Sequence, residues 1–163
     1  MVGDVRHALS WVRKEIANYG GDPGNIHLMG HGLGAHLALY TISQAAVVHS
    51  RDRLEILNAA SQWSHFAGQQ REIPNGLKSL RVYAPEADLP PIRGVIMLSP
   101  IADIIKQVRH ESKCWVEHVS PLRRALGSSQ TRCMKHSLGH ILFAARHIVE
   151  ADCLPEKALI IHG

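Results

Sequence analysis

The sequence predicts an α/β fold with three layers, αβα: a short parallel sheet of about three strands with helices on both faces. Three observations carry this. The runs NIHLMG, RGVIMLSP and KALIIHG are short, apolar and bounded by turn residues, as buried parallel strands are. Segments of helical period alternate with them along the chain, which is the pattern of a parallel sheet with crossover helices. The length of 163 residues and an apolar fraction of 45% suit one domain with a real hydrophobic core.

Over residues 4–19, Val5, Ala8, Leu9, Val12 and Ile16 recur at helical spacing, with Asp4 placed to cap the start. Gly20 and Gly21 should end this helix, because glycine adopts the left-handed geometry of a helix C-terminus at no steric cost. GGDPGN is then a tight connection into the first strand, NIHLMG. The next helix, LGAHLALYTISQAAVV, is expected to end near Ser50. Residues 50–92 read as an insertion or mobile loop, broken by Pro74, Gly76 and the proline-rich APEADLPP. The second strand, RGVIMLSP, is stopped by Pro100. Residues 101–130 read as short helices broken at Ser120 and Pro121 and closed by Gly127. SLGHILFAARHIVEAD follows as a helix with Ile141, Leu142, Ala145 and Ile148 on one face, and KALIIHG is the third strand. The whole of 1–163 is expected to be one domain.

Composition excludes several classes. The formal charge is +4, but the basic residues are dispersed, with only short pairs such as Arg13-Lys14 and Arg123-Arg124. A nucleic-acid binder should carry a dense basic stripe or interleaved aromatics, and none is visible. Cys114, Cys133 and Cys153 are far apart, odd in number and not in C-x-x-C spacing. That argues against a disulfide framework and for a reducing, cytoplasmic compartment. No stretch reaches membrane-span length, and the N-terminus lacks the apolar core of a signal peptide.

The chemistry concentrates at GHGLGAHLA, residues 30–38, where a strand runs through closely spaced glycines into a helix. The stretch DVRHALSWVRKEIANYGGDPGNIHLMGHGLGAHLA resembles the surroundings of the nucleophile elbow in α/β-hydrolase carboxylesterases, whose pattern reads G-G-D-P-x-x-I, a strand, then G-H-S-x-G-A-H-L. GVIMLSPIADIIKQVRHES and LPEKALIIHG resemble later segments of the branch containing isoprenylcysteine methylesterase-like and kynurenine formamidase-like enzymes. The resemblance covers about three quarters of the chain, all but residues 50–92. It implies a partial α/β-hydrolase fold holding strands five, six and seven of eight, and hydrolysis of carboxylic esters through an acyl-serine intermediate. Gly30 and Gly34 then match the small residues flanking the nucleophile, His31 precedes it, and Leu33 would offer an oxyanion amide. Gly32 occupies the nucleophile position itself.

Glycine has no side chain to attack a carbonyl. In a well-studied serine hydrolase, loss of the nucleophile costs about 10⁶ in turnover. The resemblance also places the triad acid and histidine beyond Gly163, and the second oxyanion loop before Asp4. No intact catalytic set is therefore expected, and the chain reads as an inactive ester-hydrolase relative. The alternatives are a non-catalytic ligand- or protein-binding module, or a fragment of an active esterase. A small-molecule ester is the expected ligand class, and no cofactor or metal is expected. Two further groups carry reactive side chains. Ser99, at the end of a strand with Asp103 nearby, has no base predictably beside it. His136 and His140, four apart with His147 beyond, have a spacing that permits a metal pair on one helix. The outer strands NIHLM and ALIIH should be apolar edges, which favours low stability and self-association.

Overall fold

The computed structural model describes residues 1–61 and 71–162. Helix α1 spans Val2–Glu15 and runs into a 3-10 turn at Ile16–Tyr19. Gly20, at φ +82°, closes it in the left-handed conformation. Asp4 lies inside the first turn of α1 and the cap position falls on Met1. Strand β1 is Ile26–His31, and α2 is Leu33–Ser61. The short α3 (Asn75–Lys78) precedes β2 (Ile92–Leu98). Then come α4 (Ile104–Lys113), α5 (Pro121–Leu126), α6 (Gln130–His136), α7 (Leu138–Ala145) and β3 (Lys157–Ile161). The strands lie in the order β1-β2-β3, all parallel, so β1 and β3 are the edges.

The breaks in residues 101–130 fall where turn chemistry put them. Ser120 accepts from the Arg123 N–H to cap α5, Pro121 takes the first helical position and Gly127 ends it at φ +66°. Two boundaries differ from expectation. The helix expected to end near Ser50 continues to Ser61, because Val47, Ser50, Arg51 and Leu54 keep helical spacing against the core. The helix expected over 137–152 stops at Ala145, with only Ile148 buried beyond it. Of the expected loop, residues 62–70 lie outside the described residues. Residues 77–87 are held by two buried guanidinium groups. Arg51 donates to the carbonyls of Leu77 and Leu80 at 3.0 and 2.7 Å, and Arg6 to those of Ala84 and Ala87 at 3.2 and 2.7 Å. A buried cation needs such partners, since leaving water uncompensated costs several kcal/mol, of order 1–3 for each lost polar contact.

The layering also differs. Leu9 of α1 and Ala35, Ala38 and Ile42 of α2 pack with Ile26, Val95 and Met97 on one face of the sheet. The alternate residues look the other way and are open to solvent: Met29 is 64% exposed, and Leu159 and Ile161 are each 52% exposed. Register confirms that these share a face, since Met29 pairs with Ile96 and Ile96 with Leu159, while Leu98 pairs with Ile161. Among the described residues, helices therefore cover one face of the sheet rather than both. Every residue of β3 is exposed.

Candidate active site

The turn from β1 into α2 is built by backbone. The Gly32 N–H donates to the Leu98 carbonyl at 2.9 Å, continuing the β1–β2 ladder by one residue. The Gly32 carbonyl accepts from the His36 N–H at 3.0 Å, the first hydrogen bond of the helix. Gly32 is thus the last residue of the strand pairing and the first of the helical one, and it makes the change of direction at φ +54°. That region penalises any residue with a Cβ by about 1–2 kcal/mol. Apart from its chain neighbours, no heavy atom of the described residues lies within 4 Å of where a Cβ on Gly32 would stand. Gly30 is constrained differently: a Cβ there would lie 2.6 Å from both Cα and N of Ala35. The glycine lets strand and helix meet backbone to backbone.

His31 is exposed, Leu33 and Gly32 are half-buried, and Gly34 is exposed. The Leu33 N–H has no acceptor among the described residues. Leu33 itself packs toward Ile104 and Leu122. The structure thus brings together the five residues 30–34 as one turn at the carboxyl end of the sheet, the edge where parallel α/β folds place function.

His36, four residues past Gly32, was not singled out by sequence reasoning. It is buried and its Nδ1 lies 2.7 Å from the Ile101 carbonyl. A carbonyl only accepts, so Nδ1 carries the hydrogen. This bond ties the first turn of α2 to the segment between β2 and α4. Burial lowers the His36 pKa from its ordinary 6.5, with the Ile101 hydrogen bond opposing and the nearby His136 adding to the depression. The position in G-x-x-x-H, one helical turn beyond Gly32, was the signal available.

The other candidates separate. Ser99 is exposed at φ +45°, and its N–H donates to the Ile161 carbonyl. Asp103 accepts from the Lys106 N–H as the cap of α4, so its carboxylate serves the helix. His136 and His140 do not share a helix, because Ser137 breaks the chain between α6 and α7. His136 Nδ1 is bonded to the Arg132 carbonyl and its Nε2 to the Tyr83 hydroxyl. The spacing that permitted a metal pair is therefore spent on a helix junction. Glu150, Asp152 and Cys153 cluster elsewhere, with Arg53 paired to Glu150 at 2.6 Å. The cysteines are free, and burial raises the Cys153 pKa. A cavity of about 960 Å³ opens beside Gly24, Arg93 and Pro155, at the amino ends of the strands and away from the turn.

A strand, a glycine-lined turn at positive φ and a helix with a free first amide are the local architecture of a hydrolase elbow. Residues 2–86, just over half of the chain, match the Carboxylesterase family, and the chain belongs to that family. It is similar to a probable isoprenylcysteine alpha-carbonyl methylesterase of Arabidopsis thaliana, 38% identical over 68 residues, which are 42% of this chain and 14% of that protein. A protein of the same description from rice, Oryza sativa subsp. japonica, is 39% identical over 64 residues, 39% of this chain and 14% of that protein. Esterase LipQ of Mycobacterium tuberculosis is 57% identical over 35 residues, 22% of this chain and 8% of that protein. The aligned stretch is thus a small part of each relative's length. No solved structure matches the chain. No helix among the described residues is long and apolar enough to cross a membrane.

Three glycine substitutions should rank by cause. Gly30→Ala is expected to be the most destabilising, by about 1–3 kcal/mol, because the backbone of Ala35 must move. Gly32→Ala should cost about 1–2 kcal/mol through its positive φ. Gly34→Ala, in open space within the helix, should be neutral or stabilising by up to about 1 kcal/mol. Urea unfolding of the three variants measures the order, and a Gly30→Ala variant as stable as Gly34→Ala would contradict it.

The lowered pKa of His36 sets a pH dependence. The unfolded chain takes up a proton near the ordinary value of 6.5, while the folded chain resists it to lower pH. Stability is therefore full above about pH 6.5 and declines as pH falls toward the folded value. His36→Asn keeps an N–H for the Ile101 carbonyl and removes the titration. Its unfolding midpoint between pH 8 and 5 should fall less steeply than that of the parent chain, and equal slopes would refute the assignment.

Proposed function

We propose that this chain is an ester-hydrolase relative whose own elbow does not catalyse. One observation supports the reading most: at the strand-to-helix turn, where the family's acyl-serine chemistry needs a hydroxyl, stands Gly32 at φ +54°. The turn keeps the elbow's backbone course and lacks the nucleophile. Gly32 also relieves the conformational strain that a serine would carry there, at the expense of the reaction. Residues 30, 31, 33 and 34 are, on this reading, the flanks of the lost nucleophile, and the ligand class is a small carboxylic ester. The chain is read as one partial α/β-hydrolase domain.

The experiment is hydrolysis of p-nitrophenyl acetate and butyrate by the purified chain and by Gly32→Ser. Neither should exceed the background set by heat-inactivated protein. The wild type has no nucleophile at the turn. Among the described residues no heavy atom other than those of the chain neighbours lies within 4 Å of the variant's Cβ, so no base from another segment stands beside its hydroxyl. Sustained turnover by the wild type, or a serine variant that clearly exceeds it, would overturn the proposal.

We also infer self-association through the sheet. Its support is the exposure of β3 on both sides and of Met29, Leu159 and Ile161 on the uncovered face. Sedimentation velocity should show a weight-average mass that grows with concentration. The pair Leu159→Lys and Ile161→Lys should return the chain to monomer. A monomer at all concentrations would sink the inference.

A further inference from the structure

A second cavity, of about 560 Å³, opens where α2 and α3 meet α6, α7 and residues 79–83. Its size is that of a small-molecule site. No residue of the 30–34 turn borders it, so it is separate from the elbow. Its apolar lining comes from Leu77, Ile141 and Ala144. Its aromatic wall is a three-ring stack, with the His136 ring 5.8 Å from Tyr40 and 6.4 Å from Tyr83, inclined by 20° and 26°.

The wall is fixed by its hydrogen bonds. His136 Nδ1 lies 2.9 Å from the Arg132 carbonyl and must donate to it. The neutral ring then leaves Nε2 to accept from the Tyr83 hydroxyl at 3.0 Å. Tyr40 donates to the Lys135 carbonyl at 3.2 Å. Both phenol groups are thus committed, and the rings present their faces and edges rather than free hydroxyls. The cavity also carries a sign. Arg81 and Lys135 border it, both exposed and neither in an ion pair among the described residues. Among the described residues no aspartate or glutamate lines it. His140 lines it as well, with its Nδ1 buried and without a hydrogen-bond partner among the described residues.

We propose that this cavity is a binding site for a monocarboxylate with an apolar body, an alkyl or aryl acid. The body lies against Leu77 and Ile141 beside the tyrosine–histidine wall. The carboxylate meets Arg81 and Lys135 at the solvent edge, where a charge-assisted hydrogen bond forms without full dehydration of either cation. Apolar surface alone would accept an alcohol or an amine equally well. The pair of unpaired cations with no opposing carboxylate selects the acid.

The test is calorimetric titration of the full chain at pH 7.5 with octanoate, octan-1-ol and octylammonium. Octanoate should bind at one site, and the alcohol and the amine about tenfold or more weakly. The double variant Arg81→Gln, Lys135→Gln changes exposed side chains only and should melt like the parent. It should lose about tenfold in octanoate affinity and bind the alcohol unchanged. The Leu159→Lys, Ile161→Lys pair, on the distant sheet face, should leave octanoate binding intact. Absence of binding at millimolar octanoate would overturn the proposal. So would equal affinity for the alcohol, an unaltered affinity in the Arg81–Lys135 variant, or a loss in the sheet-face variant.

Discussion

The fold turns on a missing methyl group at Gly30. The carboxyl end of β1 and the first turn of α2 approach so closely that a Cβ would sit 2.6 Å from the backbone of Ala35. From this contact the rest of the helical layer takes its position. It sets α2 against Ile26, Val95 and Met97, and α2 in turn carries the surfaces on which α1 and α7 pack. It also fixes where Gly32 must reverse the chain, because the strand ladder ends and the helical ladder begins on that one residue. The turn is a consequence of packing, and it is held by close backbone approach and main-chain hydrogen bonds.

Much of this could be read from the sequence. Short, largely apolar runs bounded by turn residues located all three strands, and glycine and proline chemistry placed the ends of α1 and α5. The turn at residues 30–34 was legible because its glycines serve local constraints, and local constraints leave local signals. The one-sided sheet was less so, although a signal existed. In β1, His27, Met29 and His31 alternate with Ile26, Leu28 and Gly30, a period of two that belongs to a half-solvated strand. The run looked continuous only because Met29 is apolar, yet it faces solvent.

What sequence could not give was set by distant partners. The extension of α2 beyond Ser50 depends on Arg51 finding carbonyls 26 to 29 residues away. The separation of His136 from His140 depends on Ser137, whose hydroxyl bonds the Ala102 carbonyl and receives the Ile104 N–H, so it serves a junction with another segment rather than a continuous helix. His36 likewise earns its burial from Ile101, 65 positions on. Each of these is a side chain answering a backbone group far along the chain, and spacing within one segment does not report it.

The anchoring of residues 77–87 by Arg6 and Arg51 has an evolutionary reading. Both guanidinium groups grip main-chain carbonyls, which every amino acid supplies alike. Leu77 and Ala87 are also buried, but the exposed side chains between the anchored carbonyls, Arg81 and Tyr83 among them, take no part in that attachment. Arg81 and Tyr83, which border the smaller cavity, sit on this segment. Lineages could rewrite one wall of that cavity codon by codon while the scaffold beneath it stays clamped, which makes the segment a natural place for new ligand preferences to arise.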